Sequence, residues 1–314
     1  METLKNREEE HIQSRSFTGY LVLAVKGFCM GASDVVPGVS GGTMAFILGI
    51  YDELINAIKS FNLKSARHLF TLNIRKFTEE IHWQFLLSLG AGILTAIFSL
   101  ARVLSWLLQN RPVLIWSFFM GLILASVVTV SRRIGKWGPG AWICLLGGTA
   151  GSYILVGLVP VATPEVPWFL FLCGAVAICA MILPGISGSF ILVLLGKYRY
   201  VLEAVNNRDV FVLGIVVAGA VAGIIIFSRF LGWLLKGYHD LMVALLTGLM
   251  IGSLRKVWPW KETVESMVDV HGRVIPLVQA NVLPGDWGCE IISAVSLMAV
   301  GLFSVLLLDR MGRR

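Results

Sequence analysis

The chain has 314 residues, of which 56% are hydrophobic and only 14% charged, and its mean hydropathy is +0.79. A soluble domain carries roughly a quarter charged residues, so this composition excludes a soluble globular protein and points to a polytopic membrane protein. The net charge of +7 suits basic loops against an anionic leaflet and is no sign of nucleic-acid binding.

Residues 1–16 are polar and read as a cytoplasmic N-terminal segment. The apolar run from Phe17 has no small-residue cleavage pattern, so a cleaved signal peptide is not expected. A membrane helix needs about 20 apolar residues. Simple spans are expected over 84–108, 112–130, 140–160, 210–235, 238–254 and 289–308. Two longer stretches, 17–58 and 166–205, are each interrupted near the middle. The first break is Pro37-Gly38-Val39-Ser40-Gly41-Gly42 and the second is Pro184-Gly185-Ile186-Ser187-Gly188-Ser189. Proline and glycine break helices, so each stretch is either two full spans or a hairpin of half-helices.

The two breaks are near copies, displaced by 147 positions through the Gly49/Tyr51 and Gly196/Tyr198 pairs. Further on the displacement becomes 127: Arg102 and Trp106 match Arg229 and Trp233, and Gly92, Gly121 and Ser126 match Gly219, Gly248 and Ser253. The expected fold is therefore all-α, with two inverted-topology repeats. Each repeat is a broken, re-entrant hairpin plus two spans: 17–130 for the first and 166–254 for the second. A linking span at 140–160 inverts the second copy, and 289–314 is the last span and basic tail. Lys59, Lys64, Arg67, Arg75 and Lys76, then Arg132, Arg133 and Lys136, then Arg310, Arg313 and Arg314 fall on one side in this arrangement. By the positive-inside tendency that side is cytoplasmic, and both termini lie there. Lys197, Arg199, Arg208, Arg255, Lys256, Lys261 and Arg273 fall on the other side and count against it. The polar segment 255–288 carries a pattern around Val268–Val278 that suits a short hairpin.

A duplicated helix break at membrane depth is a pointer to a transporter's binding site. Glycines let the backbone turn, and the helix that follows presents free N–H groups and a partial positive charge, which favours an anion, phosphate especially. Gly38, Ser40, Gly41, Gly42 and Thr43 in the first copy, with Gly185, Ser187, Gly188 and Ser189 in the second, are the candidate binding residues. The bland alternative is that small residues allow close packing and hydroxyls cap a kink. Arg102 and Arg229 are candidate phosphate partners, or else they snorkel to headgroups beside Trp106 and Trp233. Asp34 precedes the first break where its counterpart is Met181; it is a candidate proton carrier or a structural cap, and Glu53 is a second proton candidate. The five cysteines make no C-x-x-C pair, and there is no H-E-x-x-H or Walker motif, so no metal site, cofactor or catalytic residue is expected.

The run from Gly31 through Asp34, Pro37, Ser40 and Thr43 to Met44, with the second run from Leu183 to Ser189, resembles the PopT family of bacterial and archaeal polyprenyl-phosphate transporters. The resemblance covers most of the chain, roughly 17–308. It implies return of undecaprenyl phosphate from the outer to the cytoplasmic leaflet of a bacterial-type plasma membrane, for recycling of the carrier lipid of cell-wall synthesis. Membrane lipids are the other expected partners, and a homo-oligomer stays open. A transporter of a small soluble anion is the alternative. A lipid-modifying enzyme would need an acid–base or metal constellation that the residues do not supply.

Overall fold

The computed structural model describes residues 15–34, 40–61, 73, 81–161, 163–268, 274–285 and 288–312. In chain order the elements are α1 (Phe17–Asp34), α2 (Gly41–Ile47), α3 (Tyr51–Lys59), α4 (Trp83–Asn110), α5 (Pro112–Ser131), α6 (Pro139–Val156), α7 (Pro167–Ile182), α8 (Gly188–Leu194), α9 (Tyr198–Asn206), α10 (Val210–Gly237), α11 (His239–Val257), β1 (Lys261–Val268), β2 (Val274–Asn281) and α12 (Cys289–Gly312). Proline opens α5, α6 and α7, where its missing N–H costs nothing. Helices α4, α5, α6, α10 and α12 are long and apolar enough to cross a bilayer, as an all-α polytopic membrane protein requires. The exception to α-structure among the described residues is the antiparallel β1–β2 ribbon in the polar segment.

Both interrupted stretches fold back on themselves. In the first, Asp34 Oδ1 accepts from the Gly41 N–H at 2.7 Å at the tip, Lys26 Nζ donates to the Leu48 carbonyl at 2.9 Å midway, and Arg15 meets Glu53 at 2.6 Å at the base. In the second, Gly188 backs onto the Ala177 carbonyl near the tip. At its base the Val161 N–H donates to the Leu194 carbonyl at 3.0 Å and Lys197 Nζ to the Thr163 carbonyl at 2.6 Å. Each stretch thus returns to the end it started from. The seven residues of α2 and of α8 reach only about 10 Å, far too short to span.

Both short helices stop in the same way. Gly49 (φ +70°) and Gly196 (φ +64°) take the left-handed conformation. The next N–H, of Ile50 or Lys197, reaches back to Ala45 or Leu192 at 3.0 and 2.8 Å, the Schellman closure. The Gly-x-Tyr pairs of the sequence are these stops, and Tyr51 and Tyr198 begin the next helices. The single-residue joints Arg111 (φ −140°, ψ 53°) and Tyr238 (φ −135°, ψ 46°) match as well.

The long helices pack through glycine seams, because between lipid-immersed helices close backbone approach replaces the hydrophobic drive. Helix α1 lies on α4 and α7 on α10. A Cβ added at Gly92 would stand 2.0 Å from the Ala24 carbonyl oxygen, and one at the matching Gly219 1.9 Å from that of Phe171. Helix α5 packs on α12, and α11 on α6. There a Cβ at Gly121 would meet the Met298 carbonyl at 2.0 Å, and one at Gly248 the Leu145 carbonyl at 2.2 Å. The α6 span, expected as a linker, packs on α11 as α12 packs on α5.

The bundle has two polar ends. At one, Arg15 pairs with Glu53, Lys59 lies over Gly232, Arg133 stands 5.3 Å from the Phe46 ring centre, and Asp240 accepts from the Gly135 and Lys136 N–H groups at 3.0 Å each. At the other, Arg255 donates to the Tyr153 carbonyl at 3.0 Å, and Trp258 and Asn281 pin the ribbon to the end of α11. The first hairpin has its base at the first end; the second hairpin follows α6 at the other.

Gly121→Ala and Gly248→Ala should each lower the thermal unfolding temperature of the purified protein, by the overpacking cost of about 1–3 kcal/mol. Gly147→Ala, whose Cβ would meet nothing within 4 Å, should leave it unchanged.

Candidate functional site

A helix ending at membrane depth leaves its last carbonyls without partners and without water. At the end of α7 the carbonyls of Met181 and Ile182 are in this position, while that of Leu183 meets only the Ile186 N–H at 3.5 Å, and the first hairpin supplies donors to all three. Ser40 Oγ lies 3.3 Å from the Met181 oxygen and 3.2 Å from that of Leu183, and Tyr51 Oη donates to Ile182 at 3.2 Å. In the reverse sense the Gly185 N–H donates to Thr43 Oγ1 at 3.0 Å. Ser40 in the first break, with Thr43 and Tyr51 after it, is thus clasped to residues 181–185 at the second, more than a hundred residues away in sequence. Gly42 sits at the crossing, where a Cβ would stand 2.5 Å from the Ile182 oxygen.

The first tip is closed. Ser40 and Thr43 are each 3% exposed; Ser40 Oγ also accepts from the Gly42 N–H at 3.2 Å and caps α2. The neighbouring Gly41 N–H is taken by Asp34, so the protein's own carboxylate stands where an external anion was expected. The second tip is open by comparison. Ser187 does not cap α8 with its side chain; its hydroxyl meets that of Ser189 at 2.8 Å, and Ser189 is exposed.

The structure thus brings Ser40, Gly41, Gly42, Thr43 and Asp34 together with Gly185, beside Ser187, Gly188 and Ser189 of the same second turn. Gly38 lies outside the described residues. Arg102 and Arg229 are not at the clasp: both stand exposed on the outer faces of α4 and α10, and Trp106 and Trp233 are exposed one turn on. Glu53 is at the base of the first hairpin, paired with Arg15. Tyr51, 1% exposed and tilted at 45° against Phe46 with ring centres 4.5 Å apart, is a clasp residue that had no expected role; its only signal was the duplicated Gly-x-Tyr, and its counterpart Tyr198 is exposed.

Thr43→Val keeps the shape and leaves the buried Gly185 N–H unsatisfied, a loss of about 1–3 kcal/mol. It should increase proteolytic nicking or hydrogen exchange at 183–188 in the membrane-reconstituted protein, whereas Ser99→Ala, which removes a hydroxyl bonded only within α4, should not.

Residues 30–275 match the model of the VCA0040-like, undecaprenyl phosphate translocase-like family. The chain is 45% identical to a polyprenyl-phosphate transporter of Vibrio cholerae over 268 residues, covering 85% of this chain and 87% of that one. It is 31% identical to a polyprenyl-phosphate transporter of Staphylococcus aureus over 282 residues, covering 82% and 95%. No solved structure matches it. With both breaks inside the matched region and most of the chain aligned to relatives, this protein belongs to the undecaprenyl phosphate translocase-like family.

Proposed function

We propose that the protein moves polyprenyl phosphate, undecaprenyl phosphate in particular, from the outer to the cytoplasmic leaflet, with the clasped tips as the barrier that the phosphate passes. The observation that carries this reading is the meeting of two interrupted hairpins through Ser40, Thr43, Leu183 and Gly185. The names of the relatives support the substrate. The physics agrees with it. A polyprenyl tail is at home in lipid, so only the headgroup needs a path, and that path requires backbone donors and hydroxyls in place of water.

The matched stops, joints and glycine seams support a pair of inverted repeats, with α6 and α12 as the last span of each. Rocking one repeat against the other would part the clasp and expose its donors to one face and then the other. Asp34 holds the Gly41 amide when the site is empty. Protonation would weaken that bond and free the amide for phosphate, which gives Asp34 a coupling role. Glu53 then steadies the hairpin base, and Arg102 and Arg229 anchor the outer helix faces at the headgroups. A carrier of a small soluble anion remains the competing reading, and lipid dependence separates the two.

The test is reconstitution into liposomes with a leaflet-resolved assay of polyprenyl phosphate. Wild type should equilibrate the lipid. Gly42→Leu and Gly188→Leu should abolish transport, and Arg102→Gln and Arg229→Gln should retain it. Saturable uptake of a soluble anion with no movement of the lipid would reject the proposal.

A further inference from the structure

Two lysines that the clasp does not use lie half-buried where α11 meets the ribbon. Lys256, in the last turn of α11, has its Nζ 4.9 Å from the ring centre of Phe190, which directly follows Ser189 at the start of α8. Lys261 opens β1; its Nζ donates to the Lys256 carbonyl at 2.5 Å and stands 4.1 Å from the ring centre of Trp116 on α5. The neighbouring Arg255 is turned away, its guanidinium 4.5 Å from the Tyr153 ring centre. Among the described residues no carboxylate lies within ion-pair distance of either lysine. An ammonium group has three donors. Lys261 uses one on a carbonyl, and Lys256 has only a ring face.

Bringing two like charges together out of water without a counter-ion is costly, and proteins ordinarily pair such groups. Here the cost is built in. The ribbon is fastened to α11 by Trp258 Nε1 on the Val282 carbonyl and Asn281 Nδ2 on the Arg255 carbonyl, each at 2.8 Å, and this fastening sets Lys261 beside Lys256. Burial and the Lys256 charge pull the Lys261 amine down to about 7, as expected of a cation short of an anion.

We propose that Lys256 and Lys261, together with the Ser187 and Ser189 hydroxyls, form a receiving site for the phosphate group of the polyprenyl lipid on the ribbon side of the clasp. The site rests on the transport reading above and adds to it the cations that reading lacks. A phosphate monoester brings up to two negative charges at neutral pH, matching two ammonium groups. The faces of Trp116 and Phe190 supply the apolar wall against which the first isoprene units lie. The ribbon then serves to hold one of the two cations in place.

The test uses the full chain in nanodiscs of neutral lipid, with three probes: a short-chain polyprenyl phosphate, the uncharged polyprenol and inorganic phosphate. Lys256→Gln/Lys261→Gln should weaken lipid-phosphate binding by about tenfold or more, the effect of losing charged hydrogen bonds. Polyprenol binding should not change, and Lys→Arg at both positions should restore much of the loss. Phosphate binding holds the Lys261 amine charged, so wild-type affinity should fall from pH 7 to pH 9, where the phosphate is already dianionic; Lys261→Gln should flatten this fall. Unchanged unfolding temperature keeps the comparison valid, and single Gln variants serve if the double fails to fold. Wild-type affinity in a folded Gln variant would overturn the site. So would inorganic phosphate competing as well as the lipid, which would assign the pair to a free anion. A wild-type protein that neither binds nor moves the lipid would fail the transport reading itself, whereas intact transport and binding in the Gln variants would remove only the lysines.

Discussion

A backbone broken inside a bilayer has nowhere to send its polar groups except to another part of the protein. That constraint organises this molecule. The carbonyls stranded at the end of α7 find donors on Ser40 and Tyr51, and the Gly185 amide finds Thr43 Oγ1. The second break depends on the first hairpin for these partners. The same groups that satisfy one another here are the groups that would solvate a phosphate in place of water, so the barrier and the proposed site share their atoms.

The remaining architecture keeps these tips in register. Schellman stops at Gly49 and Gly196 fix the length of both half-helices. Lys26 on the Leu48 carbonyl, and Thr163 on the Leu195 carbonyl, satisfy their C-terminal ends with donors of different kinds. Glycine seams set the surrounding helices at backbone contact, which suits rigid bodies that move against one another rather than a deformable core. The tips themselves differ between the copies: Ser40 caps where Ser187 does not, and Asp34 fills a position that Met181 cannot.

Much of this was legible in the residues. Duplicated Pro-Gly motifs and the two displacements indicated paired hairpins, because breaks, stops and seams depend on residues with unusual backbones, and these leave a mark in sequence. The seams of α6 on α11 and of α12 on α5 were not legible, since a helix seam can be carried by one or two glycines amid interchangeable apolar residues. Nor was the closed state of the first tip: a serine that caps and a serine that binds look alike. Four of the seven basic residues counted against the inverted arrangement are engaged locally in the structure. Lys197 is buried on the Thr163 carbonyl, Arg255 lies on Tyr153, and Lys256 and Lys261, both half-buried, each lie against one ring. Charges engaged within the fold carry little weight in a rule about free loop charges. Arg102 and Arg229 teach the converse, because a charge paired by a repeat is not thereby drawn to the centre.

The most direct measurement of the clasp is reversible cross-linking across it. Cysteines at positions 40 and 183, in a chain whose five native cysteines are replaced, would be joined in membranes by a short cleavable thiol reagent. The account predicts that the link forms, stops lipid movement between leaflets and releases it on cleavage. Tips that never cross-link, or linked protein that transports at the uncross-linked rate, would contradict it.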